Sequence, residues 1–207
     1  MKKILCYGDS NTWGYMAGSA QRFARDVRWT GVMRDALGDG YEVIEEGLNG
    51  RTTVFDDPIE DYRNGEAYLR PCLMTHAPID LVIIMLGTND LKARFGVPAS
   101  DIAKGMEKLV GIIQASEAGR DGGAPGVLVM SPVPTGKLTD FKEMLEGGEE
   151  KSRRLKDLYA EIAAQYDCAF FDAGSVAVAD DVDGIHLDEE AHKAIGQRVA
   201  KAVAETL

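Results

Sequence analysis

A chain of 207 residues, 45% of them apolar and with a formal charge of -11, holds enough nonpolar material for one sizeable core, and residues 1 to 207 are expected to form a single domain. The acidic balance excludes a nucleic-acid partner, which would need a basic stripe that the chain lacks. The opening "MKKILCYGDS" carries too short an apolar run for a signal peptide or a bilayer span, so no membrane association and a cytoplasmic location are expected.

Short continuous apolar runs alternate with helical patterns. "KILCY" (3 to 7) comes first and ends in the polar turn "GDSNTWGY". Val27, Gly31, Met33 and Leu37 mark a helix, followed by a second strand-like run, "YEVIEE" (41 to 46). Residues 51 to 79 read as a polar excursion around a site or a subunit contact. "DLVIIMLG" (80 to 87) leads to a helix marked by Ile102, Met106, Leu109, Ile112 and Ile113, and then to "GVLVMS" (126 to 131). A second excursion, 132 to 150, includes Leu138, Phe141, Met144 and Leu145, a candidate contact between subunits. Leu155, Leu158, Tyr159 and Ile162 mark the next helix, "CAFFD" (168 to 172) the fifth strand, and Ala191, Ile195, Val199 and Val203 a final helix opened by Asp188. Runs without polar alternation predict strands buried on both faces, and their alternation with helices predicts a three-layer α/β domain around a parallel sheet. The three cysteines, Cys6, Cys72 and Cys168, are too scattered for a disulfide framework or a Cys-rich zinc site and read as reduced thiols.

Ligands of such sheets bind beyond the carboxyl ends of the strands. There the chain places "GDSN", "GLNGRTT", "GTND", "SPVPTG" and "DAGS". Ser10, at the turn from the first strand into a helix, is positioned as a nucleophile; equally, Asp9 or Ser10 could serve as a helix cap. A serine needs a base, and the base a carboxylate to fix its tautomer. Among the three histidines, His186 lies in "DVDGIHLDEEAH" with Asp183 three residues before it, although a loop histidine bonded to a nearby acid has the same appearance. His76 reads as structural, and His192 as a partly exposed helix residue. A metal reading would gather Asp181, Asp183, His186 and His192, without an established ligand pattern behind it. For a developing oxyanion, Gly50 could offer a backbone N–H and Asn89 a side-chain amide; an Asn-Gly turn and a turn asparagine are their plainer readings. Trp13 and Tyr15 read either as walls of a small pocket or as core, and Phe55 and Phe95 suggest an apolar surround.

"GDSN", "GLNGRTT", "GTND" and the C-terminal "DGIH" resemble the four sequence blocks of the SGNH (GDSL-type) hydrolases, in order and across positions 8 to 186. "YGDS", "TWG", "DVRWTGV", "DLVIIMLGTND" and "FFDAGS" further resemble the intracellular arylesterase and acyltransferase branch of that family. The resemblance implies a flavodoxin-like sheet of five parallel strands in the order 2-1-3-4-5. It also implies a Ser10, His186, Asp183 triad, and an oxyanion hole made by the Ser10 N–H, the Gly50 N–H and Asn89. It implies hydrolysis of small, short-acyl or aryl esters without metal or cofactor, acyl transfer to alcohols or peroxide, and a homo-oligomer, with an octamer as one form. The chain departs from the usual G-x-S-G block, which here reads Gly47-Leu48-Asn49-Gly50. A carbohydrate acetylesterase or short-chain acyl-CoA thioesterase would use the same triad. A flavodoxin-like module binding phosphate or flavin is the alternative outside the enzymes, although neither G-x-G-x-x-G nor a Walker A motif occurs.

Overall fold

The computed structural model describes residues 1–207. The elements run β1 (Lys2–Gly8), α1 (Ser10–Trp13), β2 (Tyr15–Met16), β3 (Gln21–Arg22), α2 (Trp29–Leu37), β4 (Tyr41–Gly47), α3 (Gly65–His76), β5 (Leu81–Met85), α4 (Ala99–Gln114), β6 (Gly126–Ser131), α5 (Gly148–Gln165), β7 (Ala169–Asp172) and α6 (Glu189–Thr206). Five strands pair in parallel in the order β4-β1-β5-β6-β7. Counted along the sheet's own strands, this is the expected 2-1-3-4-5. β2 and β3 form a small antiparallel ribbon beside it.

Side-chain alternation along β1 explains the two layers of helices. Leu5 and Tyr7 pack with residues of α3, α4 and α5 on one face, while Ile4 and Cys6 pack with Trp29 and Met33 of α2 and with α6 on the other. Both sets are fully enclosed, as a central parallel strand requires. β5 is equally buried along its length, but β4 and β7 are the sheet edges and stay half-exposed. Their apolar runs therefore do not report burial on both faces.

Two expectations are corrected. Within the supposed excursion 51 to 79 lies a twelve-residue helix, α3, although Pro71 sits inside it. Pro71 lacks the N–H of a helix interior and masks the pattern, whereas the Asn64 side chain caps the start by accepting hydrogen bonds from the Glu66 and Ala67 N–H groups. In the second excursion, Leu138 and Leu145 are buried in the chain's own core, so they are not a surface for another subunit. No helix is long and apolar enough to cross a membrane.

At the carboxyl end of the sheet, Gly8 of β1 pairs with Gly47 of β4, and the short α1 lies across them. A Cβ on Gly47 would stand 2.2 Å from the Trp13 backbone nitrogen. Glycine is required there because only a bare backbone lets the first helical turn settle onto the strand ends.

Candidate active site

Ser10 is the first residue of α1, so its N–H has no acceptor within the helix. Asp9 caps the turn by accepting from the Asn11 N–H at 3.0 Å. Asn11 reaches much farther along the chain: its amide donates to the Ile185 carbonyl at 3.3 Å, and its Oδ1 accepts from the Leu187 N–H at 3.2 Å. The turn carrying Ser10 is thereby fastened to the loop carrying His186 on both sides of that histidine.

The loop is shaped by its own carboxylate. Asp183 Oδ1 accepts the N–H groups of Ile185 and His186 at 2.8 and 2.9 Å, leaving Oδ2 free to face His186 Nδ1 at 2.6 Å. His186 Nε2 then lies 3.0 Å from Ser10 Oγ. These partners assign the tautomer: Nδ1–H donates to the carboxylate, and Nε2 accepts from the hydroxyl. Burial pushes the Asp183 carboxyl up, but hydrogen bonds from the His186 side chain and backbone and from Ile185 outweigh it, and its pKa is held below the ordinary carboxylate value. The Tyr15 ring lies 4.2 Å from the imidazole, centroid to centroid, and restricts its tilt. A hydroxyl, an imidazole and a carboxylate in this series can pass the serine proton to the imidazole as the oxygen attacks.

Possible donors for an oxyanion lie around the same hydroxyl. Gly50 has φ of +79°, in the left-handed region that favours glycine. One N–H of the Asn89 amide is spent on the Arg51 carbonyl at 3.1 Å, which fixes the plane of the amide and aims the other. Asp90 pins the two segments together by accepting from the Thr53 N–H and hydroxyl. Burial pushes the Asp90 carboxyl up to about 6, against the lowering effect of those bonds. Asp9 is pushed up to about 6 as well, again chiefly by burial.

The Ser10 hydroxyl opens into a cavity of about 240 Å³. Phe141, Met144, Leu145 and Ile185 form an apolar wall; Asn49, Glu60, Asn89 and Lys92 form a polar one. Tyr15 lines this cavity and Trp13 does not. Trp13 is turned aside beneath Arg22, whose guanidinium lies 5.0 Å from the ring and donates to the Trp13 carbonyl. Phe55 and Phe95 pair with each other at 6.0 Å and leave the apolar wall to other residues.

His192 is fully buried rather than partly exposed. Its Nδ1 accepts the Trp29 N–H at the start of α2, where burial first and then nearby Arg28 and His186 press its pKa down to about 4 against the pull of Asp188. It is thus held apart from Asp181, Asp183 and His186, and those four residues do not form a metal-binding group.

Sequence reasoning missed the charged side of the cavity. Lys92, almost wholly buried, contacts Asp57 at 3.2 Å and Glu60 at 2.9 Å, with Arg94 closing on Asp57 at 3.0 Å. Burial would raise the Asp57 carboxyl, but backbone N–H groups of Ile59 and Glu60 together with Lys92 bring it down to about 2. The partners lie more than thirty positions apart in sequence, so no local spacing could disclose them. Asn11 was visible in "GDSN", but its reach to Ile185 and Leu187 was not.

The sheet order and its covering helices are those of the SGNH hydrolase fold, which makes the molecule by class a carboxylic ester hydrolase of that type. The family model described as GDSL-like lipase/acylhydrolase matches residues 6–194. The chain belongs to that family. It is similar along its whole length to a carbohydrate acetylesterase from Sinorhizobium meliloti, with 43% identity, complete coverage of both chains and a TM-score of 0.97. It is likewise similar to the aryl esterase of M. smegmatis, with 47% identity, complete coverage of both and a TM-score of 0.96. Among curated proteins it is similar to an acetylxylan esterase from Xylanibacter ruminicola, 23% identical over 97% of this chain. The chain spans 43% of that relative's length.

Proposed function

We propose that the chain is a serine esterase for small, short-acyl esters, acting through an acyl-enzyme. The observation that carries this reading is the unbroken series from Asp183 through His186 to Ser10, at 2.6 and 3.0 Å. Ser10 attacks the ester carbonyl carbon while His186 takes its proton. The tetrahedral oxyanion is met by the N–H groups of Ser10 and Gly50 and by the Asn89 amide. Collapse breaks the bond to the leaving oxygen, which receives the proton from His186. Water, activated by the same histidine, then releases the acid and restores Ser10.

The cavity supports a limit on acyl size: about 240 Å³ lies below the usual range of drug-sized pockets, so an acetyl group with a compact alcohol is accommodated better than a long chain. The apolar wall of Phe141, Met144 and Leu145 favours alcohols or peroxide as acyl acceptors in competition with water. Whether ester accumulates in aqueous alcohol tests this; acid as the sole product at every alcohol level would remove it. The polar wall of Asn49, Glu60 and Lys92 supports a second reading, deacetylation of a hydroxyl-rich alcohol such as a sugar, in line with the S. meliloti neighbour. A thioester of coenzyme A fits less well, because its phosphates would approach a chain of formal charge -11. We further infer one domain over 1 to 207 and a cytoplasmic, homo-oligomeric enzyme. The three free thiols support the compartment, and the exposed Ile59 and Tyr62 of the segment before α3 support contact with other copies.

The experiment is hydrolysis of p-nitrophenyl esters of rising acyl length and of acetylated sugars by wild type and Ser10→Ala in parallel. Activity that fades with acyl length and vanishes in the variant is expected. Equal rates in both proteins would reduce Ser10 to a helix residue and bring the binding-module reading forward.

A further inference from the structure

Outside the cavity that Ser10 opens into, Glu46, Cys72 and His76 converge. Cys72 and His76 stand four residues apart on α3, so they share one face of that helix. Glu46 reaches the same point from β4. One ligand atom from each, the thiol sulfur, an imidazole nitrogen and a carboxylate oxygen, lies within 4.8 Å of the other two. The Glu46 carboxylate already contacts His76 Nε2 at 2.9 Å.

The geometry points to a binding site for a single Zn²⁺ ion held by Glu46, Cys72 and His76, with the fourth tetrahedral position open to water. Donors bound to zinc at roughly 2.0 to 2.3 Å are separated by roughly 3 to 4 Å, so small side-chain rotations bring these three onto one ion. The set is soft enough, through its sulfur and imidazole, to prefer zinc over magnesium or calcium, which require oxygen ligands. The site is supported from behind: Lys3 Nζ donates to the His76 carbonyl at 3.1 Å, fixing the end of α3. Glu46 and His76 keep side-chain exposures of 21% and 25%, which leaves an entry path from solvent.

Two cations stand nearby and oppose a divalent ion by charge. Lys3 is occupied with the His76 carbonyl. Arg51 lies over the Tyr7 and Tyr68 rings and donates to the carbonyls of Gly8 and Glu46; its charge also favours Cys72 as thiolate. In the absence of metal, burial first and then Glu46 push the Cys72 thiol up to about 12. Binding must therefore displace the thiol proton, one released to solvent per ion bound.

The test uses the full chain, stripped with chelator and titrated with Co²⁺ as the spectroscopic probe, followed by displacement with Zn²⁺. A near-ultraviolet thiolate-to-cobalt charge-transfer band, visible bands of tetrahedral cobalt, and their bleaching by stoichiometric Zn²⁺ are expected. Cys72→Ser should abolish the charge-transfer band, and His76→Gln, at a part-exposed position, should weaken affinity by roughly tenfold or more. Cys168→Ser, which removes the more accessible thiol, should leave both unchanged. Circular dichroism and ester hydrolysis verify that each variant is folded. No charge-transfer band in the wild type, or unchanged affinity in His76→Gln, overturns the site, as does loss of the band in Cys168→Ser.

Discussion

Replacing Asp183 by Asn separates the two functions of that side chain. Asn Oδ1 can still accept the Ile185 and His186 N–H groups, at 2.8 and 2.9 Å in the native loop, so the turn keeps its shape. The atom facing His186 Nδ1, 2.6 Å away, becomes an NH₂ donor. To meet it, the imidazole must present Nδ1 as acceptor and move its proton to Nε2, which then points at Ser10 Oγ and cannot receive the serine proton. The wrong tautomer costs about four orders of magnitude in kcat in a serine triad of this type, which at 1.36 kcal/mol per tenfold is about 5.5 kcal/mol of transition-state stabilisation. Asp183 does not line the cavity, so KM should change little. The assay is steady-state hydrolysis of p-nitrophenyl acetate, with thermal unfolding to confirm that the loop has not collapsed. Asp183→Ala, which also loses both loop bonds, should combine a similar kcat with a lower Tm. A kcat of Asp183→Asn within tenfold of wild type would refute the assigned tautomer and the role of this carboxylate.

Gly50→Ala should lower kcat by roughly tenfold or more, because φ of +79° disfavours any Cβ and the new methyl would press on Arg63 and Glu60 at 2.9 Å; unchanged kcat would mean that the turn accommodates a Cβ without moving the Gly50 N–H. Gly47→Ala drives a Cβ to 2.2 Å from the Trp13 nitrogen, and a loss of about 3 kcal/mol, or about 6 to 12 °C in Tm, is expected; a Tm within 2 °C of wild type, by roughly the same scale, would mean that α1 shifts freely. His192→Asn tests a pH dependence. With a pKa pressed down from 6.5 to about 4, the folded chain refuses a proton that the unfolded chain accepts, so stability is lost as pH falls from 6.5 towards 4, by about 3 kcal/mol in all. Asn keeps an acceptor for the Trp29 N–H but does not titrate, so the variant's stability should decline less over that window. The raised carboxyls of Asp9 and Asp90 act with the opposite sign, but they are present in both proteins. Identical pH profiles from chemical denaturation would count against a neutral, buried His192.

The apolar runs of β1, β5 and β6 were legible because strands enclosed on both faces must be continuously apolar, whatever their neighbours. The separation of Asp183 from His186 by two residues was legible for a similar reason, since both lie in one turn. Helix α3 was hidden by Pro71, and its stability comes from the Asn64 cap and from Leu69, Cys72 and Leu73 packing on β1 and β5. The fate of Leu138 and Leu145, the exclusion of Trp13 from the cavity and the burial of His192 all depended on which surfaces meet, and a linear pattern carries no such information. The chain's sequence by itself determined the order of its elements and the chemical kinds of groups at their ends. Only the tertiary structure decided which of those groups touch. Contacts such as Asn11 with Ile185, His186 with Ser10 and Lys92 with Asp57 join residues far apart in the chain, and they exist only once the sheet has closed the distance between them.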